Sequence, residues 1–271
     1  MPPLLVRGCV LCSHLCVWSA YRTVSFDCFI RRARRQGGRR AIRARSRYPA
    51  AVVDTEDGMN ETEAAKRPRW VAHLLTGIAI VVTCALLVDE YQVTSLEKTV
   101  FHAINGLPGF LNPVLWLVMQ FGNLVAIPAA VVLAIIFRHW ILAISFAIGG
   151  VAKLILTWVI KEIVIRYRPA QIFERLEIRD APTQGQAFVS GHATVAVLLA
   201  TLLHPYTTAR WQRVTIWILA GFTCFGRMYA GAHLPLDVIG GAGLGVGIGA
   251  VIHLLIGTRD APAPTAAEGA T

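Results

Sequence analysis

Charge is scarce in this chain. Only 15% of its 271 residues are Asp, Glu, Lys or Arg, against about 25% in an ordinary soluble domain. Acids are scarcer still, 16 against 26 lysines and arginines, and 55% of the residues are hydrophobic. The shortage excludes a plain water-soluble domain. Together with repeated apolar runs near the ~20 residues that cross a bilayer, it points to an integral membrane protein. Cysteine is sparse as well. Cys9, Cys12, Cys16 and Cys28 lie near the N-terminus with His14 among them. Their spacing does not repeat and no second pair closes a four-ligand site, so neither a zinc site nor a disulfide framework is indicated. Cys84 and Cys224 fall inside apolar runs and read as small core residues. A secretory signal is also missing: Arg7, Arg22 and Asp27 break residues 4–30, and no small-residue cleavage site follows.

What charge there is lies unevenly. Residues 1–58 hold eleven arginines against Asp27, Asp54, Glu56 and Asp57, so +7 of the net +10 sits there. This block reads as a solvated, disordered basic tail, and no nucleic-acid partner is expected. Met59 stands just before the first strong apolar run and reads as an alternative start. Residues 66–257 read as one membrane domain, and the Ala- and Pro-rich residues 258–271 as a second disordered tail.

The expected fold class is all-α, a bundle of six transmembrane helices. The apolar runs cover about 70–88, 114–137, 140–163, 190–203, 214–230 and 236–256. Phe101, Ile104 and Leu107 recur at helical spacing, so 91–111 reads as a helix lying at the interface, closed by a Gly-Pro-rich turn. The polar stretch 166–189 is too long for a tight turn and reads as a lid or binding loop. The last run carries Gly240, Gly241, Gly243, Gly245, Gly247 and Gly249, small residues that let helices approach closely.

Six spans place Lys66, Arg67, Arg69, Arg138, Arg210, Arg213 and Arg259 on one side. That side, with both termini, should be cytoplasmic. Arg166, Arg168, Arg175 and Arg179 then lie on the opposite side, against the rule. Cations placed against the trend imply that something anionic binds there.

Three polar clusters end apolar runs on that second side. They are Lys161, six residues, then Arg168-Pro169; Ser190-Gly191-His192; and Arg227, five residues, His233, three residues, Asp237. The inventory suits a phosphoryl group, whose transfer needs positioning and electrostatic stabilisation. Lys161 offers a point charge, while Arg168 and Arg227 offer planar donor forks. Ser190 is placed to cap a helix whose N–H groups face the same anion, and Gly191 lets that backbone approach. Two histidines divide the labour: His233 attacks phosphorus and His192 protonates the leaving oxygen. Pro235 marks a helix start, which puts Asp237 in the first turn, able to orient the His233 ring. An arginine such as Arg227 costs about 2.5–3.5 kcal/mol at mid-membrane, so it needs a counter-charge or a water-filled pocket.

With these residues in view, the chain resembles the type 2 phosphatidic acid phosphatase family. That family's signature is Lys-x6-Arg-Pro, Pro-Ser-Gly-His and Ser-Arg-x5-His-x3-Asp. The resemblance covers about residues 70–256. It implies a six-helix membrane fold, a phosphohistidine on His233, and no metal or other cofactor. It also implies a phosphate surrounded by Lys161, Arg168, Ser190, Gly191, His192 and Arg227. Family members hydrolyse lipid phosphates and diphosphates such as phosphatidate and undecaprenyl diphosphate, so the implied partners are a lipid phosphate and the bilayer. The short loops suggest a bacterial plasma membrane, with the site facing outward. The alternative is a catalytically silent lipid-phosphate binder or transporter on the same fold, which would not need His192, His233 and Asp237.

Two positions depart from the signature. Val189 replaces its proline, which shapes the turn into the helix. Gly226 replaces its serine, whose loss amounts to one neutral hydrogen bond, about 0.5–1.5 kcal/mol. Lys153, near the middle of the third run, reads first as a buried or snorkelling lysine and second as a deeper pocket cation. Mono- or diphosphate preference and oligomeric state have no signal in the sequence.

Overall fold

The computed structural model describes residues 56–257, with side chains from Lys66 onward. The basic stretch before residue 56, its cysteines and the tail 258–271 lie outside the described residues, while Met59 falls within the first helix. Among the described residues the protein is all-α, with one isolated bridge between Tyr167 and Gln186. In chain order the helices are α1 (Glu56–Leu87), α2 (Ser95–Asn105), α3 (Asn112–Met119), α4 (Ala126–Ile136), α5 (Trp140–Ile163), the single turn α6 (Pro169–Ile172), α7 (Gly191–Leu203), α8 (Arg210–Tyr229) and α9 (Pro235–Ile256).

Three segments are long and apolar enough to cross a membrane: Lys66–Leu87, Trp140–Ile163 and Pro235–Ile256. The expected second span is broken. Its two halves, Gly109–Gly122 and Ala126–Ile136, meet at 66° and make at most a fourth span. Length and composition therefore do not bear out six. At 13 residues, α7 reaches only about 20 Å at ~1.5 Å per residue, short of the ~30 Å hydrocarbon core. Helix α8 is 20 residues long but carries Arg210, Arg213 and Arg227. The outward faces are nonetheless apolar: Leu75, Ile78, Val82 and Leu86 on α1, and Ile148, Val151, Ile155 and Trp158 on α5, are all exposed. Such a large exposed apolar surface marks a membrane-contacting face.

Packing centres on α9, which lies against α1 on one side and α7 on the other. Its glycines fall into two rows. A Cβ on Gly243 would press on Ile80 and come 3.1 Å from the Gly77 carbonyl, on the α1 side. One on Gly245 would lie 2.7 Å from the Thr194 carbonyl, and one on Gly249 2.6 Å from Thr201, on the α7 side. Backbone-to-backbone contact on two faces is what the glycine run supplies. Phe146, Leu198, Leu199, Leu202, Ile248 and Ile252 fill the core where α5, α7 and α9 meet. Cys84 is buried in the same core.

The break between α3 and α4 has a local cause. A Cβ on Gly122 would sit 2.6 Å from the His192 carbonyl, so the chain turns directly against the start of α7. The Asn123 side chain then accepts the Val125 N–H at 3.2 Å, an Asx turn. Helix α2 exposes most of its residues and turns one face inward. Thr94 caps it by accepting the Glu97 N–H at 3.3 Å, and Phe101 is fully buried in a cluster with Val93 and Leu234. Asn105 at its end donates to the Glu177 and Tyr229 carbonyls at 2.7 and 3.0 Å. This helix thus anchors the polar loop 166–189 to the end of α8.

Candidate active site

Several chain segments end at one cavity of about 440 Å³. Lys161 closes α5 and donates to the Gln186 carbonyl at 2.5 Å. Arg168 precedes α6 and donates to the carbonyls of Gln184 at 2.8 Å and Ala232 at 3.0 Å. Gly191 and His192 open α7, whose first intrahelical bond runs from the Thr194 N–H to the Ser190 carbonyl. The N–H groups before it lie at the positive end of the helix. Arg227 lies in the last turn of α8. His233 follows a turn made by Gly231 at φ +77, where a Cβ would also meet the Glu177 carbonyl at 2.6 Å. Only glycine suits that backbone.

Lys161, Arg168, Gly191, His192, Arg227 and His233 line the cavity, with Trp116, Met119, Gln120, Asn123, Asp180 and Pro182 completing it. Of the eight residues expected at the site, the two that do not line it are Ser190 and Asp237. Both are fully buried, Ser190 directly before Gly191 and Asp237 behind His233.

Two expected contacts differ. Ser190 occupies the N-cap position, but its hydroxyl makes no capping bond. Its carbonyl instead accepts both the N–H and the hydroxyl of Thr194, each at 3.0 Å. Asp237 Oδ2 stands 3.6 Å from His233 Nδ1, an ion-pair separation longer than a hydrogen bond. The Asp237 oxygens are held elsewhere: Oδ2 accepts the Leu234 N–H at 2.8 Å and Oδ1 accepts Arg166 Nη1 at 3.0 Å.

Arg166 leads to a network the sequence did not reveal. Its Nη2 donates to Glu97 Oε2 at 2.7 Å, and Glu97 Oε1 accepts the Leu236 N–H at 3.0 Å. Glu97, Arg166 and Asp237 form one buried line of alternating charge that ends at His233. Arg166 therefore does not wait for an anionic ligand, contrary to the reading of its position. Nor does Arg179, which donates to the carbonyls of Asn105, Tyr229 and Leu107 and stacks 4.2 Å from the centre of the Tyr229 ring. No residue spacing could have exposed the pairing of Glu97 with Arg166. The only hint was an acid in a chain that has few.

The cavity's own cations are unbalanced. Asp180 is the sole carboxylate lining it, and one of its oxygens accepts the Trp116 indole N–H at 3.2 Å. Buried polar atoms are nearly always hydrogen-bonded. Yet Ser190 Oγ, Arg227 Nε and His233 Nδ1 have no protein partner, and Arg227 Nη1 meets only the Met119 sulfur at 3.9 Å. Of these atoms only the Arg227 donors belong to a side chain lining the cavity without facing a carboxylate, and with Lys161 and Arg168 beside them they suit an anion with several oxygens. Burial pushes the His233 imidazole down to about 4, against the pull of Asp237. It is therefore neutral, with a free lone pair, at ordinary pH. Burial also lowers Arg168 below the usual arginine value, with Asp237 opposing. Burial works against the Arg166 cation too, but Asp237 and Glu97 override it and raise its pKa.

This arrangement of helices has counterparts among known proteins. Residues 138–261 match the PAP2 superfamily. Among individual relatives, an undecaprenyl-diphosphatase of Sulfolobus acidocaldarius is 29% identical over 143 residues, 52% of this chain and 66% of that one. The chain thus spans just under two thirds of that relative's length. Two solved structures share the fold. LpxE of Aquifex aeolicus superposes with a TM-score of 0.55 at 22% identity, over 60% of this chain and 98% of that one. A transmembrane PAP2-type phosphatidylglycerolphosphate phosphatase of Bacillus subtilis gives 0.52 at 19%, over 65% and 94%.

Proposed function

We propose that this protein is a membrane phosphatase that hydrolyses a lipid phosphate or diphosphate through a phosphohistidine, without a metal. The carrying observation is the cavity itself, where Arg227, whose buried Nε has no protein partner, and the α7 N-terminus border the buried His233. Nδ1 of His233 faces Asp237, which leaves Nε2 for attack. Its lone pair bonds to phosphorus as the bond to the leaving oxygen breaks, and that oxygen takes a proton from His192, which becomes charged only once the bound phosphate offsets the cations around it. Water then attacks phosphorus while His192 takes back a proton. The P–N bond breaks toward His233 and phosphate leaves. Lys161, Arg168 and Arg227 hold the equatorial oxygens, where charge develops.

A lipid substrate is supported by a second cavity of about 670 Å³ between α4, α5 and α7. Its wall includes Leu133, Phe137, Phe146 and Leu199. Gln120 and Asn123 line both cavities, so an apolar chain can lie beside a headgroup held in the polar one. The relative named for undecaprenyl diphosphate makes a prenyl diphosphate one substrate to try, beside phosphatidate. Lys66, Arg69, Arg138 and Arg213 crowd the opposite end, which supports a cytoplasmic placement for that end and an outward-facing site. A Thr183→Cys variant tests this face: a membrane-impermeant maleimide should label it in intact cells, and labelling only after lysis would reverse the orientation.

The activity test is phosphate release by the purified protein in detergent with EDTA. The panel is phosphatidate, lysophosphatidate, phosphatidylglycerol phosphate and undecaprenyl diphosphate. Release from at least one lipid is expected, falling by more than about 10⁴-fold in His233→Ala, as when a covalent nucleophile is removed. Undiminished release by His233→Ala would end the phosphohistidine mechanism. Folded protein that releases nothing would favour the silent binder.

A further inference from the structure

Lys153 lies in α5, eight residues and about 12 Å along the axis before Lys161, at ~1.5 Å per residue. It is buried at 9% exposure, within a segment apolar enough to span a membrane. A lysine so placed usually pairs with a carboxylate or snorkels its ammonium to the interface. Lys153 does neither: among the described residues its Nζ makes no hydrogen bond and no ion pair. Its side chain runs inward to the start of α7. A Cβ on Gly191 would stand 3.2 Å from Nζ and 3.7 Å from Cε. Gly191 thus leaves room for an ammonium under the helix N-terminus that borders the cavity. The titratable groups within its field, Lys161 and His192, both belong to that cavity.

The cations of the site also differ in what they have left to give. Lys161 and Arg168 already donate to backbone carbonyls. Arg227 and Lys153 donate to no oxygen among the described residues. One of these two cations lines the cavity and the other lies behind its Gly191, so both are free to meet an anion held there.

We propose that Lys153 is a further ligand of the phosphoryl group, reaching through the space left by Gly191 to hold a non-bridging oxygen from below. The proposal rests on the phosphatase reading above and extends its binding site to a fourth cation. The ligand chemistry is a tetrahedral oxyanion, whether the headgroup of a lipid or free phosphate.

The test reads binding separately from turnover. Orthovanadate affinity is measured by calorimetry on the full chain in detergent with EDTA, for wild type, Lys153→Met and Lys153→Gln. Melting temperature is measured on the same samples. At least a tenfold loss of vanadate affinity is expected in both variants, with Lys153→Met melting no lower than wild type. A lysine with a purely structural role would move the melting point and leave vanadate binding alone. Gly191→Ala supplies a cycle: it should weaken vanadate binding more in wild type than in Lys153→Met, because its Cβ displaces an ammonium only the former has. Lipid kcat/KM separates the two sources, falling with vanadate affinity if the lipid headgroup is the ligand held and staying unchanged if only free phosphate is. Vanadate affinity within twofold of wild type in both Lys153 variants overturns the proposal while His233→Ala can still uphold the phosphatase. A wild type that binds no vanadate overturns both.

Discussion

Arg166 and Arg227 are both buried arginines near the same histidine, and the protein treats them in opposite ways. Arg166, fully enclosed, lies between two carboxylates at 2.7 and 3.0 Å. Arg227, 5% exposed, meets a methionine sulfur at 3.9 Å and donates to no oxygen among the described residues. The first sits between two carboxylates in a buried line that ends at His233, and the second faces a cavity in which cations outnumber carboxylates. A buried charge by itself does not mark a functional site. Its partners decide whether it belongs to the scaffold or to a ligand.

Removing each arginine should separate the two roles. Arg166→Met strands Glu97 and Asp237 in the interior, and breaking a buried pair from one side costs about 3–5 kcal/mol. A steep fall in melting temperature, or loss of folded protein, is expected in detergent. Arg227→Met removes an unpaired charge, so its melting point should hold or rise while kcat drops about 10²–10³-fold, as for an oxyanion donor. Equal melting losses in the two variants would erase the distinction.

A pH series probes where the line meets the cavity. His233 is depressed to about 4 from an ordinary value near 6.5. The acid limb of kcat/KM should therefore fall through about pH 4, roughly tenfold per unit below it. For stability the sign is fixed by the unfolded chain, which takes a proton at ~6.5 while the folded protein does not. His233 makes no difference above that pH and destabilises the fold as pH falls from ~6.5 toward 4. An acid limb near 6.5 would mean that His233 is not the titrating nucleophile.

The mildest change bears on the support for Arg227. A Cβ on Gly226 would lie 2.7 Å from Met119 Cγ and 3.0 Å from its sulfur. Gly226→Ser should overpack that contact by about 1–3 kcal/mol, and adding Met119→Ala should relieve it. Turnover should change less than stability, which a melting curve beside an activity assay would show.

Much of the site was legible from residue type and spacing. Six of the eight chosen residues line one cavity, because each cluster ends an apolar run and an apolar run cannot keep a charge without reason. Glu97 was not legible, since its partners Arg166 and Leu236 lie far along the chain and no local pattern records them. Arg166 and Arg179 were misread for the same reason: their place against the charge trend was visible, but their carboxylate and carbonyl partners were not. Gly226 looked like a lost serine hydrogen bond until Met119 was found in the space that a side chain there would need. The count of six spans was not confirmed: apolar composition continues through Gly122, while the backbone bends there to meet His192.

Composition and local pattern were enough to establish an apolar, helical chain, the start of α9 at Pro235 and six residues that gather at one polar cavity. These follow from the cost of charge in an apolar run, the geometry of helix starts and the chemistry of side chains, all local properties. Only the tertiary structure decided which cations are neutralised, that Asp237 is shared between Arg166 and His233, and that Lys153 turns inward beneath Gly191. Those outcomes depend on distances between helices far apart in sequence, and a few ångströms there decide whether a buried charge has a partner.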